Sequence, residues 1–116
     1  MKKLPHDHGN KTEERFDHMP QLEEFCTASD IFGMLADKSR VRLFWILCHC
    51  EECVADLAAM MDMSSPALSH HLKLLKMSGL ITSRREGKEV YYSAADTPTA
   101  EALHHMIEDI VKISCI

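Results

Sequence analysis

The sequence predicts a mainly α-helical chain with one β-hairpin, a winged helix-turn-helix of order ααααββα. Three observations predict it. Apolar residues recur at three- and four-residue steps from Gln21 to about Met77. After Gly79 the period changes to two on either side of Glu86-Gly87-Lys88. Helical spacing then returns after Thr97-Pro98. At 116 residues the chain is expected to hold one folded domain, residues 21–116, preceded by a flexible, histidine-containing arm over 1–20.

Within residues 1–20, His6, His8 and His18 stand among Pro5, Gly9, Asn10 and Pro20 without sustained periodicity. Leu22, Phe25, Cys26, Ser29, Phe32 and Leu35-Ala36 follow at helical steps, and Asp37-Lys38-Ser39 interrupts them as a cap-like cluster. Val41, Leu43, Phe44, Ile46 and Leu47 make a second helix apolar almost all round, hence buried. Glu51-Glu52 opens a third, Cys53 to about Met61, and Asp62-Met63-Ser64 is a tight turn. Ser64 suits an N-cap, and Pro66 falls in the first turn, where a missing N–H is harmless. This fourth helix carries Leu68, Leu72 and Leu75 on one stripe to about Met77 and stops at Ser78-Gly79. Two β-prone runs, Leu80–Arg85 and Glu89–Ser93, flank the hairpin turn, and Ala102, Leu103, Met106, Ile110 and Ile113 give the last helix its apolar side.

The net charge of −5 argues against a nucleic-acid partner until its distribution is considered. Residues 64–92 set Lys73, Lys76, Arg84, Arg85 and Lys88 against Glu86 and Glu89, a formal +3, while the remainder carries −8. A basic segment on an acidic body suits docking on phosphates through one face. Five cysteines without an export signal point to metal or redox chemistry rather than structural disulfides. With no apolar run long enough to span a bilayer, the expectation is a cytoplasmic protein without a membrane partner. There is no Gly-rich phosphate loop, no G-x-S-x-G and no His-Glu-x-x-His, so neither an enzyme nor a small organic substrate is expected.

The helices around 53–61 and 64–77, joined by a short turn, form a helix-turn-helix, and the second opens with small polar residues. Ser64, Ser65, Ser69 and His70 can approach base edges in a major groove, and Lys73 lies further along for phosphate. Arg84, Arg85 and Lys88 surround the hairpin tip, a basic wing able to reach the backbone or the minor groove. The expected partner is double-stranded operator DNA.

Leu35–Leu43, Ser64–Leu75 with Ser78-Gly79-Leu80-Ile81, and Arg84–Tyr92 together resemble the ArsR/SmtB family of metal-sensing repressors, over residues 35–92 without interruption. The resemblance implies a homodimer built from the first and last helices. It also implies a palindromic operator and repression relieved by metal.

Metal chemistry is also suggested by the residues themselves. Cys48-His49-Cys50-Glu51-Glu52-Cys53-Val54-Ala55-Asp56 is dense in soft and borderline ligands. On a helix Cys53 and Asp56 would share a face, and Cys50 and Cys53 form a C-x-x-C. The resemblance identifies Cys53 and Asp56 with the family's third-helix metal motif, whose remaining ligands come from the partner's arm, here His6 and His8 with Asp7 beside them. Cys48, Cys50 and Cys26 are further candidates. The family's other site, across the last helices, is broken: Pro98 stands where a histidine is required, and Lys112 is no ligand. A Cys/His/Asp set suits zinc, added thiolates favour cadmium or lead, and three thiolates would bind As(III). Thiol-redox or persulfide sensing through Cys50 and Cys53, or through Cys26, is the alternative effector chemistry, beside arsenite.

Overall fold

The computed structural model describes residues 3–112, and the chain divides into two compact units, 1–30 and 31–116, each described by itself. Ile113 and Cys115 lie outside the described residues.

In the first unit, α1 (Thr12–Asp17) stands where the sequence predicts no regular structure. Its first turn carries Glu13 and Glu14, which the positive end of a helix favours. The Leu4 amide donates to Glu13 Oε1 at 2.8 Å, and the His6 and His8 rings stack with centroids 5.9 Å apart. The helix buries no residue, so the apolar periodicity that would announce it is absent. The next helix, α2 (Leu22–Met34), begins in this unit and ends in the second. Its Leu22, Phe25 and Phe32 are all more than half exposed.

The second unit is built on helix α3 (Lys38–His49). Asp37 caps it, accepting from the Arg40 amide at 3.0 Å, and that bond holds the Asp37 carboxyl below the usual carboxylate range. Leu43, Phe44, Ile46 and Leu47 are buried along α3. They join Leu57, Ala58 and Met61 of α4 (Val54–Met61) and Leu68, Leu72 and Leu75 of α5 (Ser65–Met77) in one core cluster. Each fully buried leucine or phenylalanine contributes about 1.5–3 kcal/mol. Beyond α5, β2 (Ile81–Glu86) and β3 (Glu89–Ala94) pair antiparallel with Glu86 opposite Glu89. The tip is therefore the two-residue loop Gly87-Lys88, and Gly87 has φ +62°, the sign a II′ turn needs at its first loop position. Thr97 caps α6 (Pro98–Val111) by accepting from the Ala100 amide at 3.2 Å. The expected helix-turn-helix and wing are present, and no helix among the described residues is long and apolar enough to cross a membrane.

One element differs from expectation. Glu52–Cys53 is not the start of a helix but a strand, β1, paired antiparallel with β3 at Glu52–Tyr92 and Cys53–Tyr91. The sheet order is β1-β3-β2. Cys53 has extended backbone, φ −85° and ψ 167°, and is the N-cap of α4 rather than a member of it. The shared helical face expected for Cys53 and Asp56 is therefore not formed, because pairing with a strand forty residues on outweighs the local preference.

The end of α5 rests on backbone geometry. Gly79 (φ +75°) donates to the Lys76 carbonyl at 3.0 Å and Leu80 to the Leu75 carbonyl at 3.1 Å, the paired bonds of a Schellman cap. This turn directs Leu80 into the core, where it is buried. A Cβ at Gly79 would meet no atom within 4 Å, so substitution there costs conformation only. Gly79→Ala is expected to lower unfolding free energy by about 1–2 kcal/mol in urea titration, with the denaturant slope unchanged.

Candidate nucleic-acid interface and metal ligands

The stripe Leu68-Leu72-Leu75 faces the core, which turns the opposite side of α5 outward. Ser65, Ser69, Lys73 and Lys76 follow one another along that side at steps of four and three residues, and all are exposed. Ser64 is exposed and accepts from the Ala67 amide at 3.3 Å as N-cap. His70 is exposed as well, whereas His71 is half-buried, its Nδ1 3.3 Å from Arg40 Nη1. The residues expected to approach base edges thus share the N-terminal half of one exposed helix face. The α4–α5 turn depends on Asp62, which closes α4 in the left-handed region at φ 54°.

The wing side chains differ in what holds them. Arg84 Nε and Nη2 donate to Glu51 Oε1 at 2.8 and 2.6 Å, and Nη1 donates to Glu86 Oε2 at 2.6 Å. Its guanidinium lies 4.9 Å from the centroid of the Tyr91 ring, and the two carboxylates raise its already high pKa further. Arg84 is consequently matched twice within the chain. Arg85 makes only a 3.4 Å contact to the Gly87 carbonyl, and both Arg85 and Lys88 are exposed at the tip. Lys76 Nζ donates to Ser83 Oγ at 2.6 Å, tying α5 to β2.

Of the expected metal ligands, Cys53 is buried on β1 and Asp56 is exposed in the first turn of α4. Sharing a hydrogen bond with the Asp56 carboxylate, to which protonated Glu52 donates, raises the pKa of Glu52, so these two carboxyls sit together. Cys53, Asp56 and Glu52 offer a thiol and carboxyls of the kinds a borderline or thiophilic divalent ion takes, but among the described residues they are not gathered into one metal-sized group. His6, His8 and Cys26 belong to the first unit, with Cys26 exposed. Cys48 and Cys50 are half-buried, and Cys50 Sγ is 3.4 Å from the Ile46 carbonyl. Burial, and then Glu52, push the Cys50 thiol up, which makes it a poorer nucleophile. Among the described residues, the three thiols Cys48, Cys50 and Cys53 do not form a single metal-sized group.

One such group is formed, and the sequence reading misses it: His49, His104 and Glu108. The local signal available was a His/Glu pair four residues apart on the last helix. Glu101 and His105, also four residues apart on this helix, are solvent-exposed with their closest approach at 3.8 Å.

Comparison with known proteins places these features in context. A profile described as "Bacterial regulatory protein, arsR family" matches residues 37–83. The "Transcriptional repressor SmtB homolog" of Synechocystis is 46% identical over 75 residues, 65% of this chain and 57% of that protein. The "Cadmium resistance transcriptional regulatory protein CadC homolog" of Staphylococcus aureus is 43% identical over 67 residues, 57% of this chain and 55% of that protein. The "HTH-type transcriptional repressor SmtB" of Mycobacterium tuberculosis is 32% identical over 96 residues, 79% of this chain and 71% of that protein. Among solved structures, HlyU from Vibrio cholerae superposes with a TM-score of 0.74 at 22% identity, covering 80% of this chain and all of that one. For the first of these relatives the match spans a little over half of their length.

The Arg84 arrangement generates a stability prediction. Its ion pairs are half-exposed and shared with solvent, so Arg84→Ala is expected to cost less than about 1 kcal/mol. Thermal unfolding at low and high salt checks this, and the difference between variant and parent should shrink as salt is added.

Proposed function

The chain belongs to the ArsR/SmtB family, and on that premise we propose that it is a dimeric, operator-binding transcriptional repressor released by a thiophilic divalent metal ion. The observation that carries the reading is the exposed polar face of α5, from Ser64 to Lys73, next in sequence to a wing tip bearing Arg85 and Lys88. Those basic residues are presented to solvent on a chain of net charge −5. In this reading Ser64, Ser65, Ser69 and His70 face base edges, and Lys73, Arg85 and Lys88 take phosphates. Arg84, matched by Glu51 and Glu86, aims the wing first and meets DNA second.

A second copy is supported by the apolar surface of the outer helices. Phe32, Leu35, Val41, Leu103, Met106, Ile107, Ile110 and Val111 line an apolar groove between α2 and α6. Ile110 is 71% exposed, a large apolar side chain that dimerisation would cover. Two copies related by a twofold axis would set their α5 helices on a palindromic operator.

The effector reading rests on Cys53 and Asp56, with His6 and His8 from a second copy's arm completing the ligand set. When bound, the ion supplies a crosslink between those donors. Cys53 itself is placed to feel it, since it pairs with Tyr91 of the wing strand and caps the first helix of the helix-turn-helix. A pull on Cys53 therefore acts on both DNA-binding elements, and a coupling of about 1–3 kcal/mol suffices for release. Zinc, cadmium and lead suit this thiol-containing set; arsenite and thiol oxidation are less favoured, given the separated cysteines and the raised Cys50 thiol.

Two measurements test the reading. In fluorescence anisotropy with operator duplex, zinc is expected to weaken binding at least fivefold, about 1 kcal/mol. In Cys53→Ser the ratio of the two Kd values should fall to about one; a ratio equal to the parent's removes Cys53 from the switch. Across a salt series, Arg85→Ala and Lys88→Ala should each reduce the slope of log K against log salt by about 1, and Arg84→Ala by less.

A further inference from the structure

We propose that His49, His104 and Glu108 form a second, thiol-free metal site that binds a zinc-class divalent cation between the end of α3 and the middle of α6. It is separate from Cys53 and Asp56, and none of its residues lies at the positions of the broken site across the last helices.

Glu108 is a carboxylate with 7% of its surface exposed, on a helix whose other buried residues are Ala100 and Leu103. Burying a carboxylate costs several kcal/mol unless cations or donors compensate it. His104 lies one turn before it on the same face of α6, and His49 reaches it from the last turn of α3. His49 Nε2 is 3.4 Å from Glu108 Oε1 and 3.1 Å from His104 Nε2, and His104 Nε2 also contacts Glu108 Oε1. Two ring nitrogens and one carboxylate oxygen thus converge on one point, all within 4.8 Å of one another.

Ligand spacing identifies the kind of occupant. Zinc–nitrogen and zinc–oxygen bonds of about 2.0–2.1 Å in a tetrahedron place neighbouring ligand atoms about 3.3 Å apart. The two separations from His49, 3.1 and 3.4 Å, lie close to that spacing, and the shorter His104–Glu108 contact is the one an entering ion would part. Two imidazoles and one carboxylate suit zinc and its borderline neighbours, and without a thiolate the set does not favour cadmium, lead or arsenite. A cleft bordered by Cys48, Asp96, Thr97, Glu101 and His104 opens beside the cluster. It offers an approach for the ion and space for a water as fourth ligand.

The cation would pin α6 to α3, and α3 leads through Cys50 and Glu51 directly into β1. The Trp45 ring packs against the His49 imidazole, their centroids 4.3 Å apart. Without metal the same three side chains form a buried hydrogen-bonded cluster, and the experiment separates the two states.

Metal-free, full-length Cys53→Ser protein is titrated with zinc chloride in competition with a chromophoric chelator. One zinc per protomer should still bind, and adding His104→Gln or Glu108→Gln should weaken it at least tenfold. Cobalt(II) in the Cys53→Ser protein should give tetrahedral d–d absorption without a thiolate-to-cobalt charge-transfer band. Melting curves guard against a folding artefact: zinc should raise the Tm of the parent and of Cys53→Ser but not of Cys53→Ser combined with Glu108→Gln. Metal-free Glu108→Gln, relieved of a buried charge, should melt no lower than the parent; if it does not fold, His49→Gln, at the end of α3, takes its place. A Cys53→Ser protein that takes up no zinc overturns the proposal, as does a Cys53→Ser, Glu108→Gln double variant that keeps its zinc with undiminished affinity. Neither result bears on operator release, which is read through DNA affinity.

Discussion

The second unit is organised by the inward anchoring of α5. Leu68, Leu72 and Leu75 pack with Leu43, Phe44 and Leu57, each nearly or wholly withdrawn from water. A helix held on one side by a leucine stripe has no freedom to rotate, so the identity of its outward residues is settled by packing. Ser69 and Lys73 face solvent because Leu68 and Leu72, one position before each, are turned into the core. The same anchoring sets where the helix ends, and the Gly79 turn then launches β2 from a fixed point. The recognition surface and the wing are in this sense by-products of one core.

A second layer of organisation is electrostatic and concerns the wing. Of the basic residues around the hairpin, Arg84 is held by Glu51 and Glu86, and Lys76 by Ser83, while Arg85 and Lys88 remain at the tip. The inner contacts reach from the hairpin to the loop before β1 and to α5, so they orient the strands. Charge counting treats these side chains alike, yet the structure divides them into inner fasteners and exposed tip residues.

Much of this architecture is legible in the sequence because its signals are local. Asp37, Ser64 and Thr97 announce helix starts, since each side chain meets an amide three residues on. Gly79 and Gly87 announce turns whose positive φ disfavours other residues. What sequence reasoning misses depends on distant partners. The Glu52–Cys53 strand follows a helical pattern in isolation and becomes extended only because Tyr91 and Tyr92 lie alongside. α1 escapes notice because it buries nothing. His49 and His104 are separated by 55 positions, so only the folded chain shows that they share a carboxylate. The cysteine cluster illustrates the converse: closeness along the chain does not gather Cys48, Cys50 and Cys53 around one point.

The brevity of β1 has a consequence of its own. Two residue pairs join Cys53 and Glu52 to the wing strand, whereas six join the two strands of the hairpin. Such a seam can part at small energetic expense while the leucine core stays intact, because local openings draw on few contacts. Divergence at Glu52, Tyr91 or Tyr92 would therefore loosen or stiffen the linkage between Cys53 and the hairpin while the outward-facing serines of α5 stay unaltered. The seam at β1 and the outward face of α5 would then be free to change independently along a lineage.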